Sequence, residues 1–243
     1  MRKLMIVAAA LALVPAAFAS EEGGGAAAWQ TWHAGNQLGD RASLQRGARN
    51  FMNYCSGCHS LKYVRYQRIG VDLGISDELV KEHLVPPGAK ITDYVVTAMP
   101  PADANSWFGI VPPDLSLITR SKGTDYVFRF LKTFYADPAA ATGTNNLVLA
   151  GTAMPHVLSD LQGVQRAVFD EHGAFQSFES AVPGHLSAAE YDAFVRDTVN
   201  FLDYAGEPSK LSRATTGVWV VLFLLLFTAI AWLLKQEYWK DVR

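Results

Sequence analysis

The sequence predicts an all-α fold with one C-terminal membrane helix. Three observations carry this. Apolar residues recur at helical spacing in three separate segments. No segment shows a convincing alternating strand pattern. One run near the C-terminus is apolar almost without a break. The formal charge is −2, so composition gives no reason to expect a nucleic-acid partner.

Residues 1–19 have the form of a cleaved secretory signal. Arg2 and Lys3 supply the positive start, residues 4–14 are an apolar run, and Ala17-Phe18-Ala19 is a small-x-small cleavage site. The run is short for a spanning helix, which needs about 20 residues. Residues 20–28, ending in EEGGGAAA, read as a flexible start to the mature chain. The first helix opens at Ser43 as N-cap and carries Leu44, Ala48, Phe51 and Cys55 at steps of four, three and four. Gly47 lies inside it, at a cost of about 1 kcal/mol relative to alanine. Such a glycine points to close approach of another helix. A second helix is expected over 125–135, capped by Thr124 and stopped before Pro138, with Val127, Phe130, Leu131 and Phe134 inward. A third, over 188–204, starts with the capping box Ser187 and Glu190 and presents Tyr191, Phe194, Val195, Thr198, Phe201 and Leu202. It is the expected partner of Gly47.

Residues 215–234, TTGVWVVLFLLLFTAIAWLL, match one hydrocarbon core of about 30 Å. Trp219 and Trp232 sit near its two ends, as interfacial aromatics do. Basic residues flank both sides (Lys210 and Arg213 before, Lys235, Lys240 and Arg243 after), so the signal peptide sets the orientation. The body is exported and the tail, 235–243, stays in the cytoplasm. About 195 residues remain outside the membrane, enough for one domain over 29–210 with its own core.

The chain has two cysteines, Cys55 and Cys58. In an oxidising compartment the plain reading is a disulfide, and a thioredoxin-like pair is a second. Zinc would want four ligands. His59 directly after Cys58 favours a fourth reading, because C-x-x-C-H is the attachment signature of c-type haem. Both thiols add to haem vinyl groups, and the next residue is held beneath the iron as proximal ligand. The sixth position then falls to an external molecule or to a side chain. Methionine there raises the potential and suits electron transfer. Met1 and Met5 leave with the signal, and Met52 sits on the attachment helix, badly placed for the opposite haem face. Met99 and Met154 remain, both in Ala-Met-Pro contexts. Spacing alone does not choose between them. The loop GTAMPHV, lying between the second and third helices, favours Met154, while Met99 before Pro100-Pro101 has a packing role open to it. His156, two residues from Met154, competes for the position; His33, His83, His172 and His185 read as surface or packing residues.

The residues also resemble the cytochrome c1 family, haem subunits of the quinol–cytochrome c reductase (bc1) complex, over essentially the whole mature chain. The resemblance rests on SLQRG leading into YCSGCHSLKYVRY, on Pro112-Pro113-Asp114-Leu115-Ser116, on Arg120 and Asp125-Tyr126-Val127, on the methionine loop, on FLDYAGEP and on the single anchor. It implies a class I cytochrome c-type haem domain with added loops and one covalently bound haem c. It implies Met154 as sixth ligand, Arg120 and Tyr126 at a haem propionate, and Pro112 and Pro113 in the pocket wall. It implies a subunit that is not catalytic alone. Such a subunit takes an electron from a Rieske iron–sulfur protein and passes it to a soluble or tethered cytochrome c, beside a cytochrome b subunit and membrane lipid in a dimeric complex. The location implied is a bacterial inner membrane, with the haem domain in the periplasm. Two departures from larger relatives stand out. The stretch from His59 to Pro112 is compact, so docking insertions are absent, and no further cysteine pair offers a stabilising disulfide. The alternative reading is a membrane-tethered cytochrome c serving a terminal oxidase or other reductase; an open-iron haem enzyme or gas sensor, and a purely structural anchor, are rivals of another class.

Overall fold

The computed structural model describes residues 28–241. The expected signal, nearly all of the expected flexible start, and Arg243 lie outside the described residues. After a short 3-10 turn at Ala28–Thr31, the chain enters α1 (Arg41–Tyr54). Asp40, not Ser43, caps it: the Asp40 carboxylate accepts from Ser43 N at 3.0 Å. Both residue types suit an N-cap, and Ser43 instead sits in the first turn, where its hydroxyl accepts from Asn200 Nδ2 at 3.0 Å.

There follow β1 (Leu61–Arg65), α2 (Tyr66–Leu73), α3 (Asp77–His83), β2 (Tyr94–Val95), α4 (Pro101–Phe108) and α5 (Ile118–Lys122). Next are α6 (Thr124–Lys132), β3 (Phe134–Ala136), β4 (Thr144–Asn146), α7 (Ser159–Gln162), β5 (Gly163–Phe169) and β6 (Phe175–Pro183). The chain closes with α8 (Ala188–Gly206) and α9 (Lys210–Trp239).

The all-α expectation is corrected here. Among the described residues there are three antiparallel strand pairs, β1–β2, β3–β4 and β5–β6. In the longest, β5–β6, the register slips between Val164 and Gln165 and again between Val168 and Phe169. A bulge sets two residues against one, so the alternation that would mark a strand in the sequence is scrambled. The expected helix over 125–135 is also shorter than its periodicity suggests. Carbonyls at its end are taken by side chains from elsewhere: Tyr191 Oη donates to Leu131 O at 2.8 Å, and Gln162 and Gln165 both donate to Lys132 O at 3.0 Å. The chain turns at Thr133, and Phe134 is buried from a strand.

The core is set by the crossing of α1 and α8. A Cβ on Gly47 would fall 2.0 Å from Asp197 O and 2.6 Å from Phe201 Cβ, so only glycine fits. Around this point Arg46 pairs with Asp197 through two bonds, at 2.5 and 3.0 Å. Asn50 Nδ2 donates to Thr198 Oγ1 at 3.2 Å, and Phe51 packs on Phe201 with centroids 5.9 Å apart. The capping box at Ser187 and Glu190 is present as expected. Ser187→Ala is expected to cost about 1 kcal/mol, the usual worth of such a cap, read as a lower midpoint in thermal unfolding followed by circular dichroism.

Helix α9 leaves this body. Its segment Thr215–Trp239 has a mean hydropathy of 2.6, and none of it is buried against the rest of the chain. At 1.5 Å per residue, the 30 residues of α9 run about 45 Å. That is long and apolar enough to cross a membrane. Its first turn is tied to the body by charge. Lys210 pairs with Asp203 at 3.3 Å, and Arg213 pairs with Glu207.

Candidate haem-binding site

Helix α1 delivers the Cys55–His59 turn. Cys55 is its C-cap, with Cys55 N donating to Phe51 O at 2.9 Å. The chain then tightens: Cys58 N and His59 N both donate to Cys55 O, at 3.0 and 2.8 Å. Ser56 Oγ caps the last turn through Met52 O at 2.7 Å. One turn of chain thus presents both sulfurs and the imidazole together. The two thiols are free. Burial pushes the Cys55 thiol up to about 12, helped by the neighbouring Cys58. Among the described residues, no group of three or more His, Cys, Asp or Glu side chains is placed to hold a metal ion, so the zinc reading has no ligand set.

His59 is buried, with 9% of its surface exposed. Its Nδ1 bonds the carbonyl of Pro113 at 2.7 Å. With the proton on Nδ1 donated there, Nε2 keeps its lone pair for a metal. Burial lowers the pKa of His59, against the opposing pulls of the Pro113 bond and the Asp114 charge, which keeps the ring neutral and able to ligate. The family resemblance implied Pro112 and Pro113 as wall residues; the structure adds a bond from His59 to the Pro113 backbone, which no side-chain pattern announces.

Met154 is half-buried and packs against the core. Met154 N donates to Thr152 Oγ1 at 3.3 Å. His156 Nε2 is buried without a hydrogen-bond partner among the described residues. Its ring lies flat on Phe134, with centroids 5.0 Å and planes 3° apart, and burial lowers its pKa to about 4. Met99 belongs to a different place. Met99 N donates to Thr97 Oγ1, and Thr97 Oγ1 donates in turn to Gly57 O at 2.7 Å, so this loop is tied to the attachment turn itself.

Arg120 and Tyr126 each have a partner of their own. Arg120 donates to Glu207 Oε2 at 2.5 Å, across the joint between α8 and α9. Tyr126 stacks on Phe130, with centroids 6.4 Å and planes 9° apart, and lines an open cavity of about 660 Å³ with Lys122, Asp125 and Arg129. Lys122 Nζ stands 5.7 Å from the Tyr126 ring centre.

Unpaired cysteines in C-x-x-C-H, a neutral buried histidine with Nδ1 engaged, and a half-buried methionine packed on the core fit a covalent haem. Comparisons with known proteins agree. Residues 32–166 and 184–242 match the model of the Cytochrome C1 family. The chain is 47% identical to cytochrome c1 of Allochromatium vinosum, over 100% of both chains. It is 42% identical to a Nitrosomonas europaea protein named ammonia monooxygenase gamma subunit, over 84% of this chain and 85% of that one. A solved chain titled Hyperthermophilic respiratory Complex III aligns at 18% identity with a TM-score of 0.39, covering 89% of this chain and 81% of that one. On the family match and the full-length relative, the chain belongs to the cytochrome c1 family.

Proposed function

We propose that the chain is the electron-transfer subunit of a respiratory quinol–cytochrome c reductase, the bc1 complex. The observation that carries the reading is the attachment turn with His59 bonded to Pro113 O at 2.7 Å inside the Pro112–Ser116 motif. When bound, haem c supplies a one-electron couple at its iron. Cys55 and Cys58 would hold it through thioether bonds, and His59 through Nε2 and Met154 through its sulfur would ligate the iron. Arg120 and Tyr126 contact a propionate. The bond from Arg120 to Glu207 uses one of five guanidinium donors. Pro112 and Pro113 form the pocket wall. We read α1, α6 and α8 as the class I core, with the hairpins as added loops.

With His59 and Met154 both ligating, no place would be left at the iron for oxygen or peroxide. The subunit breaks no substrate bond by itself. It accepts an electron from a Rieske protein and passes it to a cytochrome c, while quinol oxidation belongs to cytochrome b. The signal 1–19 is removed, the domain 29–210 faces the periplasm, residues 215–234 cross the bacterial inner membrane, and the tail 235–243 is cytoplasmic. The complex is dimeric and lipid-embedded.

Mild detergent extraction followed by affinity isolation of the full chain tests this. The expected result is a c-type haem spectrum and co-purification with cytochrome b and a Rieske protein. Recovery with a terminal oxidase or a monooxygenase, and without cytochrome b, overturns the assignment. Ready binding of carbon monoxide by the ferrous protein at neutral pH overturns the closed site.

A further inference from the structure

The bond from His59 to Pro113 raises a structural question: what aims that carbonyl. Pro112 and Pro113 have no N–H, so no backbone donor of their own can pin the segment from behind. The anchoring comes from the residues that follow. Asp114 Oδ2 accepts from Lys62 N at 2.9 Å, and Asp114 Oδ1 accepts from Ser116 N at 3.0 Å. Leu115 N donates to Ser60 O at 2.9 Å, and Tyr63 N donates to Ser116 Oγ at 3.3 Å. Three of these bonds therefore staple 114–116 to 60–63, the stretch that begins one residue after His59, and the fourth, from Ser116 N to Asp114 Oδ1, closes a turn within 114–116. The peptide plane that carries the Pro113 carbonyl also carries the Asp114 nitrogen, so fixing Asp114 fixes the direction of the acceptor. The carboxylate replaces the ladder bonds the two prolines cannot make, as an Asx side chain does in a turn.

We infer that Asp114 is a positioning residue for the proximal ligand, holding the Pro113 carbonyl on His59 Nδ1 and so setting the basicity of Nε2. The inference rests on the haem reading of the site. A firm Nδ1–H···O bond makes an imidazole a stronger donor to iron and favours the oxidised state. Loosening it shifts the equilibrium toward the reduced state.

The test uses full-length protein in its complex, with Asp114→Glu and Asp114→Asn. Glutamate keeps the charge but misplaces the oxygens; asparagine keeps the size but leaves one accepting oxygen for two donors. Potentiometric titration is expected to show a several-fold shift toward the reduced state in both variants, where tenfold corresponds to about 59 mV for one electron. Proton NMR is expected to show faster exchange of the His59 Nδ1 proton in both. A shift in Asp114→Asn alone, with proton exchange as in the parent, means that only the charge matters and overturns the positioning role. Should Asp114→Glu fail to accumulate, the exchange rate in Asp114→Asn decides. A parent protein without a c-type spectrum would instead remove the haem reading, an outcome distinct from an unshifted variant.

Discussion

Met154→Leu is expected to open the iron and lower its reduction potential by on the order of a few hundred millivolts, a sizeable part of the ~0.8 V range that axial ligands set. The ferrous variant should also bind carbon monoxide, which the parent should not. The reasoning is geometric. The Met154 loop is tied down on both sides: Thr152 N donates to Leu149 O at 3.2 Å, and His156 is stacked and buried on Phe134. A methionine between two such anchors is held in place without paying the ordering cost at the moment of ligation. Met99→Leu should do neither, because Thr97 Oγ1 ties the Met99 loop to Gly57 O in the attachment turn, the segment that already supplies His59. Potentiometry and carbon monoxide difference spectra on both variants check this. Opposite behaviour of the two would make Met99 the ligand.

What could be read in advance followed from how local each signal is. The capping box at Ser187 and Glu190 is a contiguous code, and its helix stands where expected. The apolar run of α9 is likewise its own evidence. Gly47 was legible as a close approach because glycine inside a helix is costly without a reason. The errors arose where distant residues decide. Tyr191, Gln162 and Gln165 take the carbonyls that would have continued α6 past Lys132, and nothing near residue 132 foretells them. Bulges hid the β5–β6 hairpin. At the site, Cys55, Cys58 and His59 are announced by their own spacing, whereas the bond of His59 to Pro113 joins residues 54 positions apart through a backbone atom. The partner of Arg120 is 87 residues away. A sequence names chemical groups well and names their acceptors poorly when those acceptors are carbonyls.

The second large effect is expected at Gly47. Alanine would improve helix propensity by about 1 kcal/mol, so an isolated α1 would gain. In the folded chain the new methyl meets Asp197 O at 2.0 Å and Asp197 C at 2.8 Å, and a backbone carbonyl inside a helix has no rotamer by which to yield. The two helices must therefore move apart. That motion strains the paired bonds of Arg46 to Asp197 and the bond of Asn50 to Thr198, and opens the Phe51–Phe201 contact. Overpacking of this kind costs about 1–3 kcal/mol and at times more; contact with rigid backbone belongs at the upper end, so the net effect is a loss. Gly47→Ala should lower the thermal midpoint by roughly 5–10 °C. It should also reduce the yield of haem-loaded protein, since α1 ends on Cys55 and carries the attachment turn with it. Gly39→Ala is the control: a Cβ there meets nothing within 4 Å, so its midpoint should stay close to that of the parent. If both variants melted alike, close crossing at Gly47 would not be what holds α1 to α8, and the anchoring would have to come from the Arg46–Asp197 pair and the apolar face of α8.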